Sequence, residues 1–152
     1  VLQQKSALVI MPTGAGKSLT YQLPSLIFEG TTIVISPLKA LMKDQVDKLR
    51  AQKMAAGFIN SDVSKSEREK RQAQLSRGGY KIFYVTPERF RKSEFLTALT
   101  GLKISLLVVD EAHCISQWGH DFRPDYSKVG DIRKQLGRPP VLAVTKTGGL
   151  PS

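Results

Sequence analysis

Short apolar runs recur along the chain and alternate with segments of helical periodicity. Most runs are rich in Val, Ile and Leu and end at polar or turn residues, which is typical of strands buried on both faces of a sheet. The predicted strands lie at residues 7–11, 32–36, 56–60, 82–86, 104–109 and 141–145. Helix-like segments separate most of these strands. The alternation predicts an α/β fold whose central sheet is mainly parallel.

The segments between strands carry their own helix signals. The segment at 19–28 is helix-like, and in the segment at 38–50 the apolar residues fall on one helical face. Those face residues are Leu38, Leu41, Met42, Val46 and Leu49. The next helix opens with a capping-box pattern from Ser64 to Glu67 and ends before the glycine pair at 78–79. We interpret residues 1–152 as one compact domain, and we expect it to be truncated at both ends.

A glycine-rich turn at residues 11–18 connects the first strand to the first helix. Such a turn aims backbone N–H groups and a helix N-terminus at one point, which makes a phosphate cradle. Lys17 adds a positive charge for the outer phosphates, and the Ser18 hydroxyl suits Mg²⁺. The candidate phosphate contacts are Thr13, Gly14, Ala15, Gly16, Lys17 and Ser18.

Two carboxylates follow the strand predicted at 104–109 and therefore lie at the carboxyl edge of the sheet. We predict that Asp110 binds Mg²⁺, through water, and that Glu111 polarises the water that attacks a γ-phosphate. The alternative is a pair of surface acids after a core strand. The Lys17–Ser18 pair in the same chain favours the catalytic interpretation.

Two proline-marked turns come directly after predicted strands and add a second kind of candidate site. They contain Ser36, Pro37 and Leu38 in one turn, and Thr86 and Pro87 in the other. Loops that follow parallel strands emerge at one edge, where open α/β sheets bind ligands. The alternative is that Ser-Pro and Thr-Pro only start the next helices, since proline suits a first helical turn.

Composition narrows the partners and the compartment. The net charge of +10 favours polyanions such as nucleic acid. The single cysteine, Cys114, excludes a disulfide framework and indicates a reducing compartment. No apolar stretch is long enough to span a membrane, so we expect no membrane partner.

The chain closely resembles the first motor domain of RecQ-family DNA helicases, which belong to helicase superfamily 2. The motifs that carry the resemblance lie at residues 11–24, 35–45, 84–89 and 110–124. The last motif is the most specific, because an Asp-Glu-Ala-His motif runs into an aromatic-rich loop. Met11, where the general phosphate-loop pattern has glycine, also matches this family.

This resemblance implies a three-layer, RecA-like P-loop NTPase fold and an ATP-driven, Mg²⁺-dependent motor that unwinds DNA from 3′ to 5′. His113 would link the nucleotide site to the DNA surface. Trp118, Phe122 and Arg123 would sense single-stranded DNA, and the two proline-marked turns would contact its backbone. The implied partners are single-stranded and duplex DNA and a second RecA-like domain that completes the ATP site. We expect the protein in the cytoplasm, at a bacterial nucleoid, or in a eukaryotic nucleus.

Three alternatives compete with a DNA helicase. A P-loop small-molecule kinase leaves His113 and the Trp118–Arg123 loop unexplained, and DEAD-box RNA helicases carry glycine at the position of Glu88. A non-catalytic nucleotide- or DNA-binding fragment is the third. The family usually has Thr-Ala-Thr-Ala after the last strand, where this chain has lysine at position 146. This departure is either an altered coupling motif or a truncation artefact.

Overall fold

The structure is a computed structural model that describes residues 7–11, 18–110 and 127–146. The strands are β1 (Ala7–Met11), β2 (Thr31–Ile35), β3 (Ala56–Ile59), β4 (Ile82–Val85), β5 (Ile104–Asp110) and β6 (Val141–Lys146). The α-helices are α1 (Leu19–Ile27), α2 (Lys39–Ala51), α3 (Lys65–Ser76), α4 (Ser93–Leu99) and α5 (Ser127–Gln135), and a 3-10 helix spans Pro87–Arg91. Within these ranges no helix has the length and apolar character needed to cross a bilayer.

All strand pairs are parallel, and the sheet has the order β1-β6-β5-β2-β4-β3. The predicted mainly parallel sheet is therefore confirmed, and each predicted strand is present with ends that differ by no more than a residue. The chain runs outward from β2 to β3, returns to β4, and then crosses β2 to reach β5. The chain reverses direction across the sheet at β3. Helices α1 and α2, which precede β3, lie on one face of the sheet, and α3, α4 and α5, which follow it, lie on the other. A crevice at the carboxyl ends of the strands is expected at such a reversal.

Apolar side chains of successive strand residues point to opposite faces, so the sheet has a core on each side. On one face, Val34 and Val108 pack with buried residues of α1 and α2. On the other face, Ile33 and Leu107 pack with residues of α3, α4 and the 3-10 helix and against Ile132 of α5. The predicted three-layer α/β architecture is confirmed.

Helix α2 corrects one detail of the predicted apolar face. Met42, Val46 and Leu49 are buried against the sheet, as their spacing requires. Leu38 and Leu41, predicted on the same face, are 39% and 51% exposed. Leu38 precedes the first helical turn, and Leu41 lies about 100° around the helix from Met42, which takes both side chains away from the sheet.

Helix α3 begins at the predicted cap. The Oγ of Ser64 accepts a hydrogen bond from the backbone N–H of Glu67 at 3.3 Å. The helix ends at Ser76, and Gly78 follows with a φ of +76°, a backbone conformation that glycine adopts without strain. Both ends of this helix are therefore specified by local sequence.

We expect Ser64→Ala to lower the free energy of unfolding by about 1 kcal/mol, because it removes the acceptor for an N–H group at the helix start. Urea unfolding followed by circular dichroism measures the change. Ser66→Ala is the matched control, since it removes a hydroxyl from an exposed position inside the same helix and should cost nothing. An equal loss in both variants would show that the cap contributes nothing.

Candidate functional site at the carboxyl edge of the sheet

Four polar residues form a row along the carboxyl edge of the sheet. Each follows a strand residue of one aligned set, which consists of Ile59, Val85, Ile35 and Val109 in the order β3, β4, β2, β5. The four polar residues are Asn60, Thr86, Ser36 and Asp110. Neighbouring parallel strands lie about 4.8 Å apart, so the row spans roughly 15 Å. The structure thus brings together the predicted site residues of three separate segments.

Ser36 holds the turn between β2 and α2. Its backbone N–H donates to the carbonyl of Val85 at 3.0 Å, and its buried Oγ accepts from the N–H of Leu38 at 3.2 Å. The Ser36 side chain thus supports the start of α2, as in the structural alternative for the Ser-Pro pair. Pro37 is half-buried and Leu38 is exposed, so these two residues present the turn to solvent.

Thr86 precedes the 3-10 helix, and Pro87 occupies its first turn. Thr86 is buried, yet its Oγ1 has no hydrogen-bond partner in the part of the chain that the structure describes. The Thr-Pro pair therefore starts the 3-10 helix, but the threonine hydroxyl does not form a cap hydrogen bond to it. A buried hydroxyl without a partner costs free energy, and Thr86 keeps this unsatisfied group directly after β4, at the carboxyl edge of the sheet.

Arg89 is a residue that the sequence analysis did not select. It lies in the 3-10 helix, is 6% exposed, and makes no ion pair with any residue that the structure describes. Its Nε is buried and lacks a hydrogen-bond partner within the same residues. Burial lowers the pKa of the Arg89 guanidinium, and the nearby Arg68 lowers it further. The group has the chemistry to receive an anion, and the sequence signal was a basic residue following the Thr-Pro turn.

Asn60 was also missed. It is buried at the end of β3, where its Oδ1 accepts from the N–H of Asp62 at 2.9 Å. Its Nδ2 lies 3.6 Å from the sulfur of Met42 in α2. A polar side chain directly after a buried strand is the signal that identifies it, and Ser36 and Thr86 show the same signal with hydroxyls. Asn60 fixes the turn at the outer end of the polar row.

The other end of the row lies toward Met11 and Ser18, the described residues that flank the predicted phosphate loop in sequence. β1 is parallel to β6, and β6 pairs with β5 so that Val9, Val144 and Asp110 are aligned. Met11, the last residue of β1, is therefore two residues beyond Asp110 along the strand direction. Ser18 stands at the start of α1, where its side chain does not cap the helix and no acidic residue occupies the first turn. This helix start remains suited to a bound anion.

Ser18 and Asp110 both influence the buried hydroxyl of Tyr21. Burial raises the pKa of Tyr21 well above its usual value, the charges of Tyr84 and Asp110 raise it further, and the polar side chain of Ser18 partly opposes them. Both residues that the sequence selected for Mg²⁺ therefore act on one buried phenol. Burial likewise raises the pKa of Tyr84, which lies next to Tyr21.

The donor chemistry of Ser18 and Asp110 fits Mg²⁺, because a hydroxyl and a carboxylate are hard oxygen ligands. Within the described ranges no group of three or more His, Cys, Asp or Glu side chains could hold a metal ion by itself. Mg²⁺ is usually held by one or two protein ligands together with retained waters and substrate phosphates. Ser18 and Asp110 would hold such an ion.

Several predicted site residues lie outside the described residues, so the structure does not place them. On the nucleotide side they are Thr13, Gly14, Ala15, Gly16, Lys17, Glu111 and His113. On the nucleic-acid side they are Trp118, Phe122 and Arg123. Their roles stay predictions.

Comparison with known proteins gives consistent matches. The family model described as DEAD/DEAH box helicase matches residues 1–147. The chain is 53% identical over 139 residues to the ATP-dependent DNA helicase RecQ of Bacillus subtilis, which covers 91% of this chain and 24% of that protein. It is 48% identical over 148 residues to the probable ATP-dependent DNA helicase RecS of the same species, covering 97% and 29%. It is 49% identical over 149 residues to the rat ATP-dependent DNA helicase Q5, covering 94% and 15%.

A solved structure supports the fold. The helicase domain of Pyrococcus furiosus Hef superposes with a TM-score of 0.68 at 19% identity, covering 99% of this chain and 31% of that one. At this identity the similarity concerns the fold alone. The chain spans 15–29% of the length of the three relatives named above.

Proposed function

The chain belongs to the DEAD/DEAH box helicase family, and from that premise we propose that it is the ATP-binding motor domain of a RecQ-type DNA helicase. Its proposed activity is to couple ATP hydrolysis to 3′-to-5′ movement along single-stranded DNA and to duplex unwinding. We further propose that a second RecA-like domain completes the ATP site.

One observation carries this proposal: the candidate Mg²⁺ ligand Asp110 and the two turns predicted to contact DNA lie along a single sheet edge. Asp110 lies at one end of the row, and both Ser18 and Asp110 influence the buried Tyr21. Thr86 lies two strands away, between Ser36 and Asn60, and its buried hydroxyl has no hydrogen-bond partner among the described residues. The polar row is continuous between them through Ser36. The turn after β2 is hydrogen-bonded to β4 through Ser36 and Val85. Ligands at the two ends of the row would therefore contact turns that are supported by neighbouring strands.

At the nucleotide end we propose that residues 13–17 and the start of α1 hold the phosphates, with Lys17 on the outer ones. Ser18 and Asp110 would hold Mg²⁺, which when bound neutralises charge that develops on the phosphates. Glu111 would accept the proton of the attacking water. His113 would transmit the state of this site to the DNA surface.

At the nucleic-acid end we propose that the turns at Ser36–Leu38 and Thr86–Pro87 contact the DNA backbone. Arg89, a buried cation without an ion-pair partner among the described residues, would attract a phosphate to the same turn. Trp118, Phe122 and Arg123 would stack on unpaired bases. The net charge of +10 favours this polyanionic partner over a small neutral substrate.

The test compares ATP hydrolysis by two proteins, each with and without single-stranded DNA. One is the 152-residue chain, and the other is a chimera in which the chain replaces the matching segment of Bacillus subtilis RecQ. At saturating ATP we expect slow hydrolysis by the chain alone whose rate does not rise with DNA, because a missing arginine finger costs about 10³–10⁵ in rate. We expect DNA-stimulated hydrolysis and unwinding by the chimera.

The other outcomes separate the alternatives. A small-molecule kinase would ignore DNA in both proteins. A non-catalytic fragment would bind nucleotide or DNA and give a chimera without turnover. Either result would overturn the proposed motor function.

We expect Trp118→Ala in the chimera to reduce stimulation by single-stranded DNA while DNA-free hydrolysis stays within about twofold. The physical reason is the loss of base stacking, worth about 1–3 kcal/mol per base. Titration of hydrolysis against oligothymidylate measures the change. Trp118→Phe keeps an aromatic face and should restore most of the stimulation, whereas a residue that only fills the core would affect both rates equally.

A further inference from the structure

A buried hydrogen-bond network connects the two ends of the candidate site. The hydroxyls of Tyr21 in α1 and Tyr84 in β4 lie 3.1 Å apart, and both side chains are almost fully buried. The Nε2 of Gln22 lies 3.3 Å from the Tyr84 hydroxyl and 3.3 Å from Oε1 of Gln45 in α2, and donates to both. The Tyr21 and Tyr84 rings meet edge to face, with centroids 6.3 Å apart. Three elements are thus joined through polar side chains.

The three elements joined by this network lead to different parts of the proposed machinery. Tyr21 lies three residues after Ser18, on the first turn of α1. Tyr84 lies two residues before Thr86, and α2, which carries Gln45, follows the Ser36–Leu38 turn. The network therefore reaches the phosphate end and both turns proposed to contact DNA.

The two tyrosine hydroxyls of this network lie in apolar surroundings, where an unpaired polar group costs free energy. Tyr21 and Tyr84 lie in the apolar cluster formed by residues such as Val34, Met42 and Leu106. In such surroundings each polar group that loses its partner pays a desolvation cost, so the network favours a few well-defined arrangements. Aliphatic side chains would fill the same space without this constraint. Packing alone does not require two hydroxyls there, and the half-buried amides of Gln22 and Gln45 extend the network to the edge of this cluster.

The central hydrogen bond of the network can form in two ways. Either hydroxyl of the Tyr21–Tyr84 pair can be the donor, so the bond has two possible directions. Tyr21 is in turn affected by Ser18 and Asp110, the proposed Mg²⁺ ligands. A cation that took an oxygen lone pair of Ser18 would leave that hydroxyl as a donor toward Tyr21. Tyr21 would then donate to Tyr84, and one direction of the bond would be selected.

Building on the proposed function, we propose that Tyr21, Tyr84, Gln22 and Gln45 are positioning residues that couple nucleotide binding to DNA binding. They contact neither ligand. Nucleotide binding selects one arrangement of the network, and that arrangement sets the positions of α2 and of the turn after β4. Because coupling between two binding sites is reciprocal, DNA binding must change nucleotide affinity by the same factor.

The test uses the 152-residue chain and measures binding rather than turnover. The dissociation constant for fluorescein-labelled oligothymidylate is determined with and without Mg²⁺ and adenylyl imidodiphosphate, an ATP analogue that is not hydrolysed. The ratio of the two constants is the coupling factor. We expect a factor on the order of 10 for the unmodified chain, within the usual range of allosteric coupling.

Tyr84→Phe removes one hydroxyl and keeps the ring. We expect the coupling factor to fall to about 1–2, while the affinity for each ligand alone changes by less than about threefold. Tyr80→Phe is the matched control, because Tyr80 is a buried tyrosine in the core on the opposite face of the sheet. It should keep the coupling factor of the unmodified chain. A purely structural role for Tyr84 would lower the affinity for nucleotide and the affinity for DNA and leave the coupling factor unchanged.

A second variant guards against misfolding of the first. Gln45→Met, at a half-buried position on α2, breaks the outer bond of the network and should also abolish coupling. Unchanged coupling in either folded variant would overturn the inference, as would an unmodified chain that binds both ligands independently. A chain that binds neither nucleotide nor DNA would instead refute the proposed function, so the two failures are distinguishable.

Discussion

Replacing Glu111 by glutamine should stop ATP turnover in the chimera and leave ATP binding intact. The amide has the shape of the carboxylate and still accepts a hydrogen bond, but it cannot accept a proton from the attacking water. A positioned general base contributes about 10²–10⁴-fold to rate, and we expect the rate of phosphate release to fall by that factor. Single-turnover phosphate release measures the chemistry, and titration with a fluorescent ATP analogue measures binding. The dissociation constant should change by less than about threefold.

Glu29→Gln is the matched control for this experiment. Glu29 is an exposed residue just before β2, at the opposite edge of the sheet, where it pairs with Lys103 at 3.0 Å, so its substitution makes the same change of charge away from the polar row. We expect Glu29→Gln to keep full turnover. Turnover that survives Glu111→Gln would mean that another group polarises the water. A weakened ATP affinity would mean that Glu111 acts in binding rather than in chemistry.

The strands could be predicted because the sheet is parallel and buried on both faces. Continuous apolar runs such as Ile82–Val85 leave little choice between strand and helix when turn residues flank a segment so short. The order of the strands could not be predicted in the same way. Strand β2 pairs with β4 and β5, which are distant in sequence, and that choice depends on crossover packing rather than on any local pattern.

One part of the candidate site could likewise be predicted from local sequence, and another part could not. That Ser36, Thr86 and Asp110 share an edge follows from parallel strands alone, so the sequence sufficed for it. The tyrosine network could not be predicted from the sequence, because Tyr21 and Tyr84 each occur in an apolar run and are typical of core residues. Their hydroxyls meet only when α1 packs on the sheet. Leu41 shows the reverse: its spacing on α2 favoured burial, and the position of the helix on the sheet exposes it.

Replacing Lys17 by alanine should abolish ATP binding in the 152-residue chain. The lysine follows two glycines of the loop and precedes Ser18, so its ammonium group would pair with the outer phosphates. Truncating one partner of a close charge pair costs about 2–5 kcal/mol, much of it from the charge left without a partner. The dissociation constant should therefore rise by at least about 30-fold. Titration with a fluorescent ATP analogue, checked by calorimetry, measures the change.

The control must separate this local contact from the chain's general positive charge. Lys43→Ala removes the same charge from an exposed site on α2, where the lysine pairs with Asp47 at 2.8 Å. Because an exposed ion pair contributes little and long-range attraction is screened by salt, we expect Lys43→Ala to alter ATP affinity by less than twofold at 0.15 M salt. Equal losses in the two variants would mean that ATP is attracted by net charge. Tight binding by Lys17→Ala would place the phosphates elsewhere, and the start of α1 would then have no role in holding them.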